Sequence, residues 1–177
     1  NRLAQYRREK DGLVVKTLAV EQIYEEFNSG KQDIGAIRNL IKYIYDNASS
    51  SQNRIKYLGI IGDASVDYKN RLQGNTNIVP TYHSLGSFAT TDSSFMSDDF
   101  YTMMDPKEGD MSISNSMDLA VGRILADTPQ RADAMVSKII TSEQNEAYGQ
   151  WRNNFVLISD DADKLSDFRL QVDLDKL

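Results

Sequence analysis

Acidic residues at the ends of apolar runs are the first chemistry this sequence offers. Asp63 follows the run at residues 55–61 (IKYLGII), and Asp160 and Asp161 follow residues 155–159 (FVLIS). Asp98 and Asp99 open a further run, DDFYTMMD, that closes at Asp105. In open α/β sheets, ligands sit outside the carboxyl ends of the strands, so Asp63, Asp160 and Asp161 fall where they could share one edge. Carboxylates gathered there suit calcium or magnesium, with Asp63, Asp99, Asp160 and Asp161 as candidate ligands. A magnesium-dependent hydrolase or phosphotransferase using Asp63, Asp99 and Asp160 is one function such a group would support. The same short side chains also cap helices and turns, a role that needs no ligand.

Spacing removes several sharper versions of that chemistry. VLISDDAD looks like the opening of a phospho-acceptor receiver, but too few residues follow Asp161 to supply the acceptor and lysine. IIGDAS places Ala64 where a Gly-Asp-Ser esterase block needs its nucleophile, and Ser65 stands one position late. A one-residue shift re-aims the hydroxyl, and nucleophile geometry is exacting. Asp161, Asp163 and Asp167 suggest a calcium loop, yet Ser166 and Val172 occupy the positions where an EF-hand needs Gly and Glu. His83 is the sole histidine, set in a polar loop after Pro80 beside Tyr82 and Ser84, and reads as a surface residue. Residues 62–67 hold no Walker lysine and no glycines form GxGxxG, so nothing supports nucleotide binding.

Composition narrows the classes further. Twenty-six acids against 20 bases leave a net charge of −6, and no local Lys/Arg cluster offers a nucleic-acid surface. No apolar run approaches the length of a membrane span, and no basic-then-apolar signal opens the sequence. Cysteine is absent, which removes disulfides, thiolate metal sites and a cysteine nucleophile from these residues.

The elements that must position these side chains alternate. Residues 2–10 read as a helix stopped by Asp11-Gly12, and residues 13–20 (LVVKTLAV) as a buried strand. Residues 21–27 form a short amphipathic turn or helix, closed by Asn28-Ser29-Gly30. Asp33 can cap a helix whose Ile34, Ile37, Leu40, Ile41, Ile44 and Tyr45 make one apolar stripe. After the strand at 55–61 come polar loops, an extended piece ending at Pro80, a strand at 98–105 and a strand at 118–124. Thr128-Pro129 starts a helix, with Ala132, Met135, Val136, Ile139 and Ile140 on its core face. Residues 155–159 read as a strand and 164–177 as a helix. Strands alternating with helices predict an α/β fold, a parallel sheet flanked by helices on both faces. The sequence opens and closes on helices, so both ends are expected to be cut and an N-terminal strand to be missing.

The order of blocks carries a resemblance. IYEEFNSGKQDIGAIRNLIKYIY, YLGIIGDAS, IVPTY, SDDFYTMMD, DLAVGRILADTPQRADAMVSKII and WRNNFVLISDDAD resemble, in that order, the gingipain-like cysteine peptidases. The signal-peptidase branch of type IX secretion in Bacteroidota is the nearest in flavour. The motif residues are Gly62, Asp63, Pro80, Gly122 and Arg123, over a likeness running from about Leu3 to Asp163.

The resemblance implies a caspase-like fold of two adjacent α/β subdomains. Residues 1–150 would be the first and residues 151–177 the truncated start of the second. It implies a secreted cysteine endopeptidase whose catalytic His and Cys lie outside these residues, so no catalytic residue is assigned. Asp98, Asp99 and Asp105 would stand near the substrate cleft, where a carboxylate can receive a basic side chain. Arg123 would pair with one of the acids, and Gly122 would allow close backbone approach. The implied partners are the remaining half of the peptidase domain and a protein or peptide substrate. No cofactor is required, and the location is periplasmic, outer-membrane-associated or extracellular. A non-catalytic binding or assembly module of the same fold is the alternative.

Overall fold

The computed structural model describes residues 2–89, 94–112 and 114–156. The chain divides into two compact units, Asn1–Ile140 and Thr141–Leu177. In the first, α1 (Arg2–Asp11), α2 (Val20–Asn28) and α3 (Ile34–Asp46) precede β1 (Tyr57–Ile61). Then come two short strands, β2 (Tyr82–His83) and β3 (Met96–Ser97), a 3-10 turn at Asp99–Tyr101, β4 (Ala120–Ile124) and α4 (Pro129–Ser142). β1 and β4 pair in parallel, Tyr57 opposite Ala120, Gly59 opposite Gly122 and Ile61 opposite Ile124. β2 and β3 pair antiparallel. The fold is therefore mixed α/β with a parallel strand pair, as the alternation of elements predicts.

Local chemistry accounts for the helix ends. Asp33 Oδ1 accepts from the Gly35 amide at 2.5 Å, the cap expected from the sequence. At the start of α2, Gln22 Oε1 reaches back to the Ala19 amide at 3.2 Å and satisfies an N–H the helix itself cannot. Ser29 takes a left-handed conformation and closes α2 on the Tyr24 carbonyl.

Side chains alternate across a strand, so Leu58 and Ile60 share one face of β1. On that face Ile60 packs with Tyr24 of α2, Ala36 and Ile37 of α3, and Val79, Phe100 and Tyr101 from the loops. A second cluster, Ile41, Met104 and Leu119, extends the contact along α3. The stripe on α3 thus buries Ile37 and Ile41, while Ile44, expected on the same face, is 38% exposed. The opposite face of the pair is open among the described residues: Tyr57, Gly59, Ala120 and Gly122 are all exposed.

Two expected strands are absent. Residues 13–19 form no regular element and join no ladder among the described residues, with Val14 95% and Leu18 56% exposed. Apolar β-branched composition favours a strand, yet a strand needs a neighbour to bond to, and among the described residues this segment bonds to none. Within residues 98–105 only Asp99–Tyr101 forms a regular element, a one-turn 3-10 helix, because Ser97 and Asp98 fold the chain back: Ser97 Oγ accepts from the Asp99 amide and the Asp98 carbonyl from the Tyr101 amide. Of the expected strand at 155–159, residues 155 and 156 join no ladder, and 157–159 lie outside the described residues, as does the helix expected at 164–177. The described part of the second unit holds the end of α4 and short 3-10 turns at Asn145–Ala147 and Gln150–Asn153. There Arg152 lies over the rings of Tyr148 and Trp151, at 4.0 and 5.2 Å from their centroids. Among the described residues no helix is long and apolar enough to cross a membrane.

Candidate functional site

Gly62, Asp63, Pro80, Asp98 and Arg123 meet at the carboxyl ends of β1 and β4. Arg123 organises them. Its Nε and Nη2 donate to Asp98 Oδ2 and Oδ1 at 2.7 and 2.6 Å, a two-pronged pair. Nη1 donates to the carbonyls of Gly62 and Val79 at 2.8 and 2.7 Å, and Nη2 also reaches the Pro80 carbonyl at 3.2 Å. The guanidinium carries five N–H groups in a fixed plane, and this arrangement occupies all of them. The two side chains retain only 10% and 16% of their exposure.

Other groups complete the junction. Thr81 Oγ1 donates to Asp98 Oδ1 at 2.8 Å, so both oxygens of that carboxylate are engaged. Tyr101, fully buried, donates its hydroxyl to the Pro80 carbonyl at 2.6 Å. Burial raises the Tyr101 hydroxyl well above its ordinary pKa, with the Asp98 charge acting in the same direction. The Asp63 carbonyl accepts from the amides of Ile78 and Val79 at 2.9 and 3.1 Å, and the Asp63 amide donates to Ala126 at 3.2 Å. Gly62 sits at φ +140°, and a β-carbon there would meet Ile78 at 2.9 Å. Glycine is required at this point, since both the dihedral and the space exclude a side chain.

Gly122 behaves differently. A β-carbon there would meet nothing within 4 Å, so the close approach expected of it has no counterpart among the described residues. A neighbouring hydrogen-bond system holds the loop that follows the 3-10 turn. Asp118 accepts from the Met104 amide at 2.7 Å and from the Tyr45 hydroxyl at 3.1 Å. Arg38 Nη2 donates to the carbonyls of Met103 and Glu108 at 2.5 and 2.8 Å.

The remaining candidates take distinct positions. Asp99 is half-buried beside Asp98, its amide bonded to Ser97 Oγ at 3.1 Å, and its carboxylate has no partner among the described residues. Asp63 is likewise half-buried, with a carboxylate unpartnered among those residues. Asp105 is exposed, its amide donating to Glu108 Oε2 at 2.9 Å. His83 belongs to β2, half-buried rather than at the surface, with Nε2 shielded from solvent. Asp160 and Asp161 lie outside the described residues. Among the described residues no three His, Cys, Asp or Glu side chains come together as a metal site.

Chemically, the Arg123 junction is closed. Its charges compensate one another and its carbonyls are already bonded, so it fixes four stretches of backbone rather than presenting a reactive group. Next to it in sequence stand two half-buried carboxylates, Asp63 and Asp99, without partners among the described residues. Sequence reasoning linked Arg123 to an acid but missed Thr81, Tyr101 and Asp118. A tyrosine beside paired acids, close after a proline-ended strand, was the available signal for the second of these.

Comparison with known proteins bears on the whole chain. The family model for peptidase family C25 matches residues 1–176. The crystal structure of dimeric latent PorU from Porphyromonas gingivalis matches with a TM-score of 0.66 and 30% identity over 87% of this chain. The match covers 15% of that chain, so these residues correspond to a small part of PorU. No curated protein matches.

Proposed function

Because the chain belongs to peptidase family C25, we propose that it supplies scaffold and cleft wall to a cysteine endopeptidase whose thiol and imidazole lie outside residues 1–177. The observation that carries this reading is the combination of a family match over residues 1–176 with no cysteine in the sequence. A thiolate must attack the scissile carbonyl, a histidine must move its proton, and backbone N–H groups must hold the oxyanion. The nucleophile at least must come from the rest of the polypeptide. The likeness to PorU supports signal removal in type IX secretion as the activity of the parent, and an envelope or extracellular location.

In this reading the Arg123 junction fixes the loop bearing Asp99. Asp98 serves that loop as a positioning residue, since both its oxygens are taken. Asp99 and Asp105 remain the carboxylates able to meet a basic substrate side chain. The purified chain should leave a peptide library uncut, read by mass spectrometry of new termini. Turnover that persists after His83→Ala would overturn the placement of the catalytic groups.

A further inference from the structure

The loop that leaves β1 at Gly62 and returns at Val79 is fastened at its base and open at its tip. Arg123 binds the Gly62 carbonyl on the outgoing arm and the Val79 and Pro80 carbonyls on the returning arm. The Asp63 carbonyl accepts from the Ile78 and Val79 amides, and Asn77 Oδ1 accepts from the Ser65 amide at 3.0 Å. Above that base, every residue from 68 to 74 (YKNRLQG) is exposed. None of them belongs to either apolar cluster.

One residue holds the tip in its fold. Asp67 Oδ2 accepts from the Leu72 amide at 2.7 Å, and the Asp67 carbonyl accepts from the Asn70 amide at 3.0 Å and from Asn75 Nδ2 at 2.7 Å. The Arg71 and Leu72 amides hold the Asp67 carboxyl below its ordinary pKa, so at neutral pH it is a charged acceptor. Asn70 takes a left-handed conformation within this turn, at φ +54°. The tip is therefore kept closed by bonds to one residue and by no apolar packing. Such a turn opens locally at small cost while the core stays folded.

The tip matches one chemistry. Lys69 and Arg71 are both exposed, and residues 68–80 contain no acid. A peptidase that reads a basic side chain with a carboxylate meets two such side chains here and no opposing charge. Exposed loop tips are also where chains are preferentially nicked.

We propose that residues 68–74 are a processing site, cut after Lys69 or Arg71 by an endopeptidase specific for basic residues, and that Asp67 limits the cut by holding the turn closed. At either bond the oxygen of water bonds to the carbonyl carbon, the C–N bond breaks, and a proton from that water passes to the departing nitrogen. Because the Arg123 base grips both arms, the two pieces stay together after the cut. The new ends arise on the loop that Asp63 begins, so processing reshapes the surface at the carboxyl end of β1 and leaves the core in place. The proposal holds for this loop whatever chemistry the parent performs.

Limited digestion of the full-length parent with trypsin, with mass spectrometry of the new termini, tests it. The expected pieces end at Lys69 or Arg71, begin at Asn70 or Leu72, separate on a denaturing gel and co-elute on size exclusion. Asp67→Ala should be cut at these bonds roughly tenfold faster, the effect of losing hydrogen bonds to a charged acceptor. Asn75→Ala, which releases the returning arm, should act in the same direction. Lys69→Gln combined with Arg71→Gln should abolish both new termini. Digestion that cuts other loops and leaves 68–74 intact overturns the site. Equal rates for the parent, Asp67→Ala and Asn75→Ala overturn the latch, and pieces that part on size exclusion overturn the role of the Arg123 base.

Discussion

Arg123 and Asp98 show how a motif residue becomes a structural one. Taking two charges out of water is costly, and their attraction repays it only where every remaining proton and lone pair is bonded. Here the guanidinium also binds three carbonyls and the carboxylate also binds Thr81. Removing one partner strands the other, at a cost of about 3 kcal/mol or more. Arg123→Lys and Asp98→Asn should both lower the thermal midpoint clearly, while Asp105→Asn, at an exposed carboxylate, should leave it in place; differential scanning calorimetry separates these outcomes.

Tyr24 offers a pH signature at the same scale. Burial, with the charges of Glu21 and Asp33 assisting, pushes its hydroxyl up to about 12 from 10.0. The folded state thus holds this proton more tightly than the unfolded chain does. Its contribution is complete below pH 10 and is lost as pH rises toward about 12. Stability measured by urea titration should fall across that window, and Tyr24→Phe should flatten the fall. An acid partner for Arg123 was legible from sequence. Which acid was not, because that depends on where the loop at 97–101 folds back, a tertiary fact.

At the scale of elements, glycine placement and strand pairing divide the legible from the hidden. Gly62 and Gly122 look alike in sequence, each at or near a strand end. Only Gly62 combines a positive φ with Ile78 at 2.9 Å from a β-carbon. Gly62→Ala should therefore cost roughly 1–3 kcal/mol in a chemical denaturation curve. Gly122→Ala, open on the same measure, should cost well under half of that. Equal costs would mean that the strand ends are not arranged as described. The capped helix α3 and strands β1 and β4 were readable because each satisfies its own pattern of caps, stripe or apolar run. Residues 13–19 were misread as a paired strand because composition reports the willingness to pair, whereas the partner must be supplied by another part of a protein. The run at 98–105 was misread because Ser97 and Asp98 turn the backbone locally, and a side-chain oxygen outcompetes the ladder.

For the whole molecule, the decisive facts are a net negative charge without a Lys/Arg cluster in the sequence, no cysteine, and a family match spanning nearly every residue. A cysteine peptidase family represented by a chain without cysteine makes sense when the chain corresponds to a small part of a longer relative. The central claim is that this part holds shape and the remainder holds the nucleophile. Thiol alkylation of the full-length parent, followed by mapping of the modified residue and assay on a peptide library, tests it most directly. The account expects one alkylated cysteine outside residues 1–177 and loss of cleavage in step with its modification. Undiminished cleavage after complete alkylation would contradict it.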